Sequence, residues 1–410
     1  MNPRLIFSHP TGNANVRAAL AGLEAAGMLA EFHTTIAAFP GSVWSRLGKE
    51  FQRRSFKPSL RPLTVQHPGR ELARMVAARF KLDSLTRHET GVFCIDAIYQ
   101  AADKAVARRL INAPQKFSAV YAFEDGARES FAAAKKLGRR RIYDLPIAYW
   151  QTLRHLLAEE AERLPAWKIT LGGGVSDSEK KLQRKTEELE LAEMVVCPSQ
   201  FVARSLPESA RLKKIIIVPF GSPAKAIEKK EFSAAPKKLR VLFAGSMSQR
   251  KGLGDLFAAM NLLKRTDVEL VVMGAPQAPL EFYRSQFSGF THESVRPHAA
   301  VLKLMQTCDV LCLPSIVEGR ALVMQEAMSQ GLPLIITANT GGEDLIAEGT
   351  TGFLVPIRSA EKIAEKISWF ADHRAALPEM SRAAQEKAGA MTWENYGAAI
   401  ATEISKLNHA

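Results

Sequence analysis

The chain of 410 residues is long enough for two domains, and its composition, 47% hydrophobic and 24% charged, is that of a globular protein. Its net charge of +13 favours an anionic partner such as a nucleotide, a nucleic acid or an acidic membrane. No apolar run is long enough for a membrane span or a signal peptide, so we expect a cytoplasmic chain. The four cysteines form no C-x-x-C pair, which argues against a zinc site or disulfide framework and predicts buried free thiols.

The positive charge is concentrated between Arg46 and Arg87. This segment holds eleven basic and three acidic residues, for a net charge of +8. Phe51, Phe56 and Phe80 are interspersed with the basic residues. The mixture favours an acidic membrane surface and a lipid-linked or polysaccharide acceptor, with a solvated basic face as the open alternative. No nucleic-acid-binding motif is present, so we expect no nucleic acid partner.

In the first half of the chain, short β-rich runs alternate with longer helical patterns. This alternation predicts a parallel sheet wrapped by helices on both faces. Helical patterns cover about 13–27, 89–112, 126–137, 148–163 and 178–192. The predicted strands are Arg4–Ser8, Phe32–Ala37, Leu63–Gln66, Ala119–Phe123, Arg141–Leu145, Met194–Pro198 and Lys214–Phe220.

The same alternation restarts after a polar stretch. The pattern predicts a first Rossmann-like domain (1–221), a linker (222–238), a second such domain (239–387) and a closing amphipathic helix within 388–410. Ligands of doubly wound sheets bind beyond the carboxyl ends of the strands, so we expect the site in a cleft between the domains. The predicted strands of the second half are Leu239–Gly245, Val268–Gly274, Asp309–Pro314, Leu332–Thr337 and Gly352–Pro356, and its predicted helices include Gly252–Lys264 and Leu322–Gln330.

Two acidic residues mark the end of a buried strand of the second domain. Glu318 lies in the loop after "DVLCLPS", and Glu326 lies eight positions later, within the helix that follows. The helix N-terminus between them suits a diphosphate, and carboxylates are good acceptors for sugar hydroxyls. Arg250 and Lys251 occupy the first loop of the same domain, where their charges suit a leaving diphosphate. This combination suits a nucleotide sugar, with ordinary solvated charges as the open alternative for the glutamate pair and for the Arg-Lys loop.

The E-x7-E pair, the stretch "FAGSMSQRKG" and the run from "GG" to "TGFLVP" together resemble the retaining glycosyltransferases of family 4, which have the GT-B fold. The resemblance is dense over Leu239–Pro356. The closing "TWENYGAAI" resembles that family's tail helix, which crosses back to the first domain.

The resemblance implies an enzyme that moves a sugar from a nucleotide-diphosphate sugar to an acceptor hydroxyl with retention, in bacterial polysaccharide or glycolipid synthesis. It implies no metal or other cofactor. Glu326 would hold the ribose, Glu318 would lie beside the transferred sugar, and Arg250 with Lys251 would stabilise the leaving diphosphate. The remaining residues so implied are Gly245, Ser246, Gly319, Arg320, Ala321, Leu322 and Val323 for the donor, and Gly12 and Asn13 for the diphosphate and acceptor.

Three departures from the family pattern stand out. Ser246 replaces a common Arg, and Arg320-Ala321 replaces the Phe-Gly of the usual E-G-F-G. Asp144 stands where the family often has His, at the end of a first-domain strand. We expect Asp144 to contact the acceptor or the sugar, with a structural role as the open alternative. Glu124 and Asp125, at the end of another strand, are expected to face the same cleft.

Two alternative functions share these residues. A nucleotide-sugar 2-epimerase of the same fold would bind the same donor and need acid/base groups around the sugar. A non-catalytic partner subunit would keep the fold without turnover, which the intact Glu318, Glu326 and Lys251 argue against.

Overall fold

The computed structural model describes residues 3–48, 51, 54–172, 176–224 and 238–406. Lys49 and Arg53 of the basic segment, and residues 225–237 of the predicted linker, lie outside the described residues.

Seven parallel strands form the first sheet, in the spatial order β3-β2-β1-β4-β5-β6-β7. The residues of β1, β4 and β6 are buried, as expected for strands covered by helices on both faces. The strand order reverses between β1 and β4, so the carboxyl ends of these two strands flank a crevice. From β1 to β7 the strands are Leu5–Ser8, Leu29–Thr34, Thr64–Gln66, Ala119–Phe123, Arg140–Asp144, Met194–Cys197 and Lys214–Ile217.

Helices follow most of these strands. Serine side chains cap two of them, since the hydroxyls of Ser178 and Ser199 each accept a backbone N–H of the first turn. The helices of this half, from α1 to α9, are Ala14–Ala25, Val43–Arg46, Gly69–Arg79, Asp83–Thr86, Ile95–Asn112, Arg128–Lys136, Trp150–Arg163, Glu179–Leu191 and Gln200–Ser205.

The second sheet has six parallel strands in the order β10-β9-β8-β11-β12-β13. Its order reverses between β8 and β11, which places the loops after these strands on either side of a second crevice. The strands from β8 to β13 are Leu239–Ala244, Val268–Met273, Phe290–Glu293, Val310–Leu313, Leu334–Ile336 and Gly352–Leu354. The helices from α10 to α15 are Leu253–Leu263, Leu280–Gln286, His298–Gln306, Leu322–Ser329, Ala360–Asp372 and Leu377–Gly389.

The last helix, α16 (Trp393–Ser405), returns to the first domain and packs on α1. Glycines allow the close approach, because a Cβ on Gly22 would lie 2.1 Å from the carbonyl oxygen of Gly397. Buried Tyr396, Ile400 and Ile404 join the core beneath the first sheet. The prediction of two Rossmann-like domains with a returning C-terminal helix is confirmed.

The two domains are joined by a packed interface as well as by the chain. Trp167, in the short 3-10 helix Pro165–Thr170, inserts into the core of the second domain. Its ring meets those of Phe257, Phe282 and Tyr283 edge-on, with centroids 5.1–5.8 Å apart. The segment after α7 is therefore held by the second domain.

Some elements differ from the sequence expectations. β2 begins at Leu29 and ends at Thr34, earlier than the predicted Phe32–Ala37. β10 was not predicted because it is a short edge strand, and α3 was not predicted because basic residues obscure its periodicity. All four cysteines are buried and free, as predicted. Among the described residues, no helix combines the length and apolar character needed to cross a bilayer.

Candidate functional site

Three charged side chains meet where the loops after β8 and β11 face each other. The Glu318 Oε1 accepts a hydrogen bond from Arg250 at 2.6 Å and lies 2.7 Å from the Lys251 Nζ. The loops are also tied through their backbones, since the Ile316 N–H donates to the Arg250 carbonyl at 2.9 Å. Glu318 is 8% exposed. Two cations share one carboxylate, which leaves the cluster with one excess positive charge.

Gly245, at the end of β8, makes room for this cluster. Its φ of 151° lies in the region that favours glycine, and a Cβ here would come within 3.4 Å of the Lys251 side chain. Ser246 follows, with its hydroxyl 3.4 Å from that of Ser248. The structure therefore places Gly245 directly against Lys251, and Ser246 beside Ser248 in the same loop.

Glu326 lies within α13, farther along the same βα unit. Its Oε1 is 3.0 Å from the Nε2 of His298, the first residue of α12. Leu322 and Val323 form the first turn of α13, where backbone N–H groups have no partner within the helix. The structure thus offers donors and a carboxylate along one edge of the second domain.

Arg320 does not face the donor side, contrary to the expectation. Its side chain is fully buried and donates to Gln325 (3.0 Å), the Gly341 carbonyl (2.8 Å) and Asp344 (2.7 Å). Gln325 in turn donates to the Phe220 carbonyl and lies 3.3 Å from Ser222. Arg320 therefore anchors the Glu318 loop to the chain segment that leaves the first domain. Neighbouring Ala321 is buried and donates its N–H to the Thr340 carbonyl.

The first domain covers the Glu318 loop. A Cβ on Gly319 would lie 1.8 Å from the carbonyl oxygen of Pro146, and the Ser199 hydroxyl donates to the Gly319 carbonyl at 2.6 Å. The small size of Gly319 is therefore required by the approach of the first domain.

Gln249 locks the Arg250 loop to the first domain in the same way. Its N–H donates to the Thr170 hydroxyl at 3.0 Å, and its side-chain amide donates to Glu160 and Asp255 at 2.7 Å each. Glu160 is fully buried and also accepts from Arg163 and Arg358. Burial alone would raise the pKa of Glu160, but these donors outweigh it and lower that pKa. Both loops of the charged cluster are thus fixed by partners on the first domain.

Asp144 lies in the core of the first domain and not on the cleft, which corrects the expected contact. The side chain ends β5 but is 2% exposed, and its Oδ2 accepts a 2.5 Å hydrogen bond from the buried Tyr121 hydroxyl. Burial raises the pKa of Asp144 to about 7. The strand-end position was identified correctly, but the packing of Tyr121 and α16 directs the carboxyl inward.

Glu124 and Asp125 follow β4 and are held by basic residues of α8. Asp125 pairs with Arg184 at 2.8 Å, and the Glu124 Oε2 lies 3.4 Å from the Lys185 Nζ. Burial raises the pKa of Glu124 to about 7, while Lys185 acts in the opposite direction. The other oxygen of Glu124, Oε1, is buried and has no hydrogen-bond partner among the described residues.

A cavity of about 360 Å³ opens beside these carboxylates at the crevice between β1 and β4. Its lining includes residues that the sequence did not single out, such as His9, Tyr99 and Lys181. Burial lowers the pKa of His9 to about 4, so this imidazole is neutral at pH 7. Asn13 lies on this cavity and also, with Gly12, on a second one of about 850 Å³. Gly12 is needed there because a Cβ would lie 2.5 Å from the Phe56 ring.

One group of side chains in the described residues could bring three ligand atoms together for a metal: His88, Glu89 and Asp177. The Lys181 Nζ lies 3.1 Å from the Asp177 Oδ1, and Glu89 accepts the N–H of Ser178. An ammonium at this distance competes with a bound cation, so the geometry does not favour a metal here. The metal-independent reaction remains a prediction.

Four functional candidates were missed by sequence reasoning: His298, Gln249, Trp167 and His9. Each has contact partners that lie far away in the sequence, as Gln249 has in Thr170 and Glu160. No local motif marks them, although His9 directly follows the predicted first strand.

The fold and the charged cluster together define a GT-B protein. Residues 224–388 match the family model described as "Glycosyl transferases group 1", and this segment contains Arg250, Lys251, Glu318 and Glu326. The match supports a glycosyltransferase.

Curated relatives match less than half of the chain. An Amylovoran biosynthesis glycosyltransferase AmsK from Erwinia amylovora is 24% identical over 180 residues, 38% of this chain and 44% of the relative. A D-inositol 3-phosphate glycosyltransferase from Arthrobacter sp. (strain FB24) is 30% identical over 182 residues, 40% of this chain and 43% of the relative. The matches thus cover less than half the length of these relatives.

Solved structures match over the whole chain. Sucrose-phosphate synthase (tll1590) from Thermosynechococcus elongatus has a TM-score of 0.62 at 17% identity and covers 100% of this chain and 98% of its own. Anabaena Alr3699/HepE in complex with UDP has a TM-score of 0.60 at 15% identity, covering 98% of this chain and 100% of its own. At these identities the likeness shows the fold.

Because Asp144 is buried, we expect it to make the stability of the protein pH-dependent. Its replacement should have only a modest effect on activity. Because its folded-state pKa is raised to about 7, the folded protein holds a proton that the unfolded chain releases above about pH 4. The free energy of unfolding therefore falls as the pH rises from about 4 to 7. We expect Asp144→Asn, which removes this titration, to gain stability relative to the native chain across that range.

Denaturant unfolding at pH 5 and pH 8 measures the free energy of unfolding of the variant and of the native chain. The variant's value minus the native value should increase by a few kcal/mol from pH 5 to pH 8, at about 1.4 kcal/mol per pKa unit. The exposed Asp83→Asn serves as the control and should show no comparable shift. A stability difference that does not change with pH would contradict the buried, protonated Asp144, and a hundredfold loss of activity would restore its catalytic role.

Proposed function

We propose that this protein is a retaining glycosyltransferase that uses a nucleotide-diphosphate sugar as donor, in the synthesis of a surface polysaccharide or glycolipid. The observation that carries the proposal is the convergence of Arg250 and Lys251 on the Glu318 carboxylate, at the switch point of a GT-B second domain. The donor is supported by the solved structures of the similar Alr3699/HepE with UDP and with UDP-glucose.

The donor diphosphate is assigned to the two cations. Glu318 neutralises one of the two positive charges, and a diphosphate brings the negative charge that the pair still lacks. Charge-assisted hydrogen bonds from a guanidinium and an ammonium to phosphate oxygens are among the stronger contacts that a protein can make. Glu326, about one turn into α13, is assigned to the ribose hydroxyls, with His298 orienting its carboxylate.

In the proposed reaction the acceptor hydroxyl attacks the anomeric carbon from the face on which the diphosphate leaves. The bond between that carbon and the phosphate oxygen breaks, and its electron pair passes to the diphosphate. The leaving phosphate takes the proton of the acceptor hydroxyl as the new carbon–oxygen bond forms. Arg250 and Lys251 stabilise the charge that develops on the diphosphate, and this stabilisation is greatest in the transition state.

The basic segment is assigned to peripheral contact with an anionic membrane on the cytoplasmic side. Val76 and Phe80, on and just after α3, are 53% and 67% exposed, and Leu47 is 52% exposed. Phe51, Val76 and Arg79 line the same 850 Å³ cavity, so apolar and basic groups share one surface. This combination suits anionic lipid headgroups with apolar chains beneath them.

A panel of UDP-, GDP- and ADP-sugars tests the proposed activity through slow donor hydrolysis, measured as release of nucleoside diphosphate. We expect turnover of at least one donor and release of its sugar with the anomeric configuration retained. Lys251→Met should lower kcat by about 10²–10³, since it removes a group that acts on the developing charge. The exposed Lys136→Met on α6 is the matched control and should be unaffected.

The absence of both binding and turnover across the panel would reject the transferase. Release of a sugar epimerised at carbon 2 would favour the epimerase instead. Inversion at the anomeric carbon would reject the retaining mechanism alone.

The membrane assignment predicts that Val76→Ser, Phe80→Ser and Arg79→Gln, combined, weaken binding to vesicles. Each basic residue near an anionic membrane contributes about 1 kcal/mol to the free energy of membrane binding, and each apolar side chain that enters the membrane adds a further contribution. We expect at least a tenfold loss of co-sedimentation with phosphatidylglycerol-containing vesicles. The control combines Leu212→Ser, Val295→Ser and Lys136→Gln, which remove similar exposed groups elsewhere. Equal binding by the two variants would rule out this surface.

A further inference from the structure

The chain passes between the two domains twice, and the two passages touch each other. On the way out, Phe220 still lies in the core of the first domain. On the return, Met391 packs against the core of the second domain and Trp393 against that of the first. The Ser222 N–H donates to the Met391 carbonyl at 2.6 Å, and Ser222 forms an isolated parallel bridge with Thr392. We call Ser222 and Thr392 the crossing point, because the chain changes there from one core to the other.

The helix that carries Glu326, α13, is attached to this crossing point. Gln325 is fully buried, and its side-chain amide donates to the Phe220 carbonyl and lies 3.3 Å from the Ser222 hydroxyl. Leu322, in the first turn of α13, packs against the core of the first domain, while other residues of the helix lie in the core of the second. The start of α13 is therefore held by both domains.

Arg320 joins this helix to the loop that carries Glu318. Its guanidinium donates to the Gln325 side chain at 3.0 Å and to the two oxygens of Asp344 at 2.7 and 3.1 Å. One of its nitrogens also lies 3.6 Å from the Met391 sulfur, on the returning passage of the chain. Because the donors of a guanidinium are fixed in one plane, this set of partners holds the side chain in a single position.

The backbone around Arg320 is fixed as well. Glu318 and Ala321 each donate their N–H groups to carbonyls of the loop after β12, at 3.1 Å. Arg320 lies between these two hydrogen bonds, and its side chain donates to the Gly341 carbonyl of the same loop at 2.8 Å. The backbone that follows Glu318 therefore depends on where the Arg320 side chain is anchored.

We propose that Arg320 is a positioning residue that ties the backbone of Glu318 to the crossing point through Gln325. It thereby fixes the Glu318 carboxylate against the two cations of the opposite loop. This inference rests on the proposed transferase and adds a residue whose fully buried side chain acts through Glu318. The crossing point is a firm anchor for the loop, because the cores of both domains meet there.

The variant Arg320→Met tests this role, since it keeps an unbranched side chain and removes the donors. Asp344 is 37% exposed, so water can replace its lost partner. We expect kcat for hydrolysis of a UDP-, GDP- or ADP-sugar that the native protein accepts to fall about tenfold or more, because a displacement of about 1 Å can cost about a hundredfold. Calorimetry should show the corresponding nucleoside diphosphate bound as tightly as by the native protein or more tightly, since a displaced Glu318 competes less for the cations.

The matched control is Arg141→Met. The Arg141 side chain is 12% exposed, lies 3.0 Å from Glu193 and donates to two backbone carbonyls, but it stands near the amino end of β5, away from the cleft. We expect this variant to lose stability and to keep the native kcat. An equal loss of kcat in the two variants overturns the positioning role. So does a loss in Arg320→Met that is matched by an equal loss of protein able to bind the nucleoside diphosphate.

The variant Gln325→Met cuts the same link from the other side and leaves the pair of Arg320 with Asp344 in place. We expect kcat to fall in the same direction. The double variant should be no slower than the slower single variant, because residues that act through one link are not additive. Multiplied losses in the double variant would contradict the link. If Arg320→Met does not fold, Gln325→Met decides alone, and a native kcat overturns the proposal.

Hydrogen exchange followed by mass spectrometry tests the link without any donor. The N–H groups of Glu318 and Ala321 are hydrogen-bonded, and we expect peptides that cover them to exchange about tenfold faster in Arg320→Met and at the native rate in Arg141→Met. Native exchange rates in Arg320→Met overturn the proposal. Faster exchange together with a native protein that hydrolyses no nucleotide sugar would instead count against the proposed transferase, so the two failures are distinguishable.

Discussion

The structure depends on one carboxylate that is shared by two cations. Glu318 lies in the loop after β11, Arg250 and Lys251 lie in the loop after β8, and one carboxylate oxygen of Glu318 contacts both cations at 2.6 and 2.7 Å. Two cations so close together repel each other, and the carboxylate of Glu318 offsets this repulsion. The arrangement holds both loops in place while keeping one positive charge available. A diphosphate fits this state because it can take over the role of the carboxylate.

The first domain sets the geometry of this cluster without contributing a charge to it. Gln249, next to Arg250, is held by Thr170 and Glu160, and Gly319, next to Glu318, is held by Ser199. Each loop is thus fixed one residue away from its charged side chain. Trp167, three residues before Thr170, packs in the core of the second domain, so Thr170 is itself held close to the second sheet. The contacts between the domains therefore determine where the backbones of the two loops lie, and so where their charged side chains meet.

Much of the fold, and the position of Glu318, Arg250 and Lys251 on facing loops, could be predicted from the sequence, because both depend on local patterns. Strand–helix alternation, the spacing of Glu318 and Glu326, and the loop position of Arg250 each appear within a short stretch. The direction in which a side chain points, in contrast, cannot be read from a short stretch of sequence. Arg320 turns away because Asp344 offers a buried partner, and Asp144 turns inward because Tyr121 offers a hydroxyl. Asn13, Glu124 and Asp125 of the first-domain cavity were expected at the cleft, whereas His9, Tyr99 and Lys181 were not, since the lining comes from several separate segments of the chain.

We propose that Glu318 occupies the cations that a donor diphosphate must engage. Calorimetric titration of the native protein and of Glu318→Gln with the nucleoside diphosphate of the donor tests it most directly, at low ionic strength where charge effects are least screened. Removal of the competing negative charge should tighten binding of the diphosphate at least tenfold in the variant. Equal or weaker binding by Glu318→Gln would contradict the account.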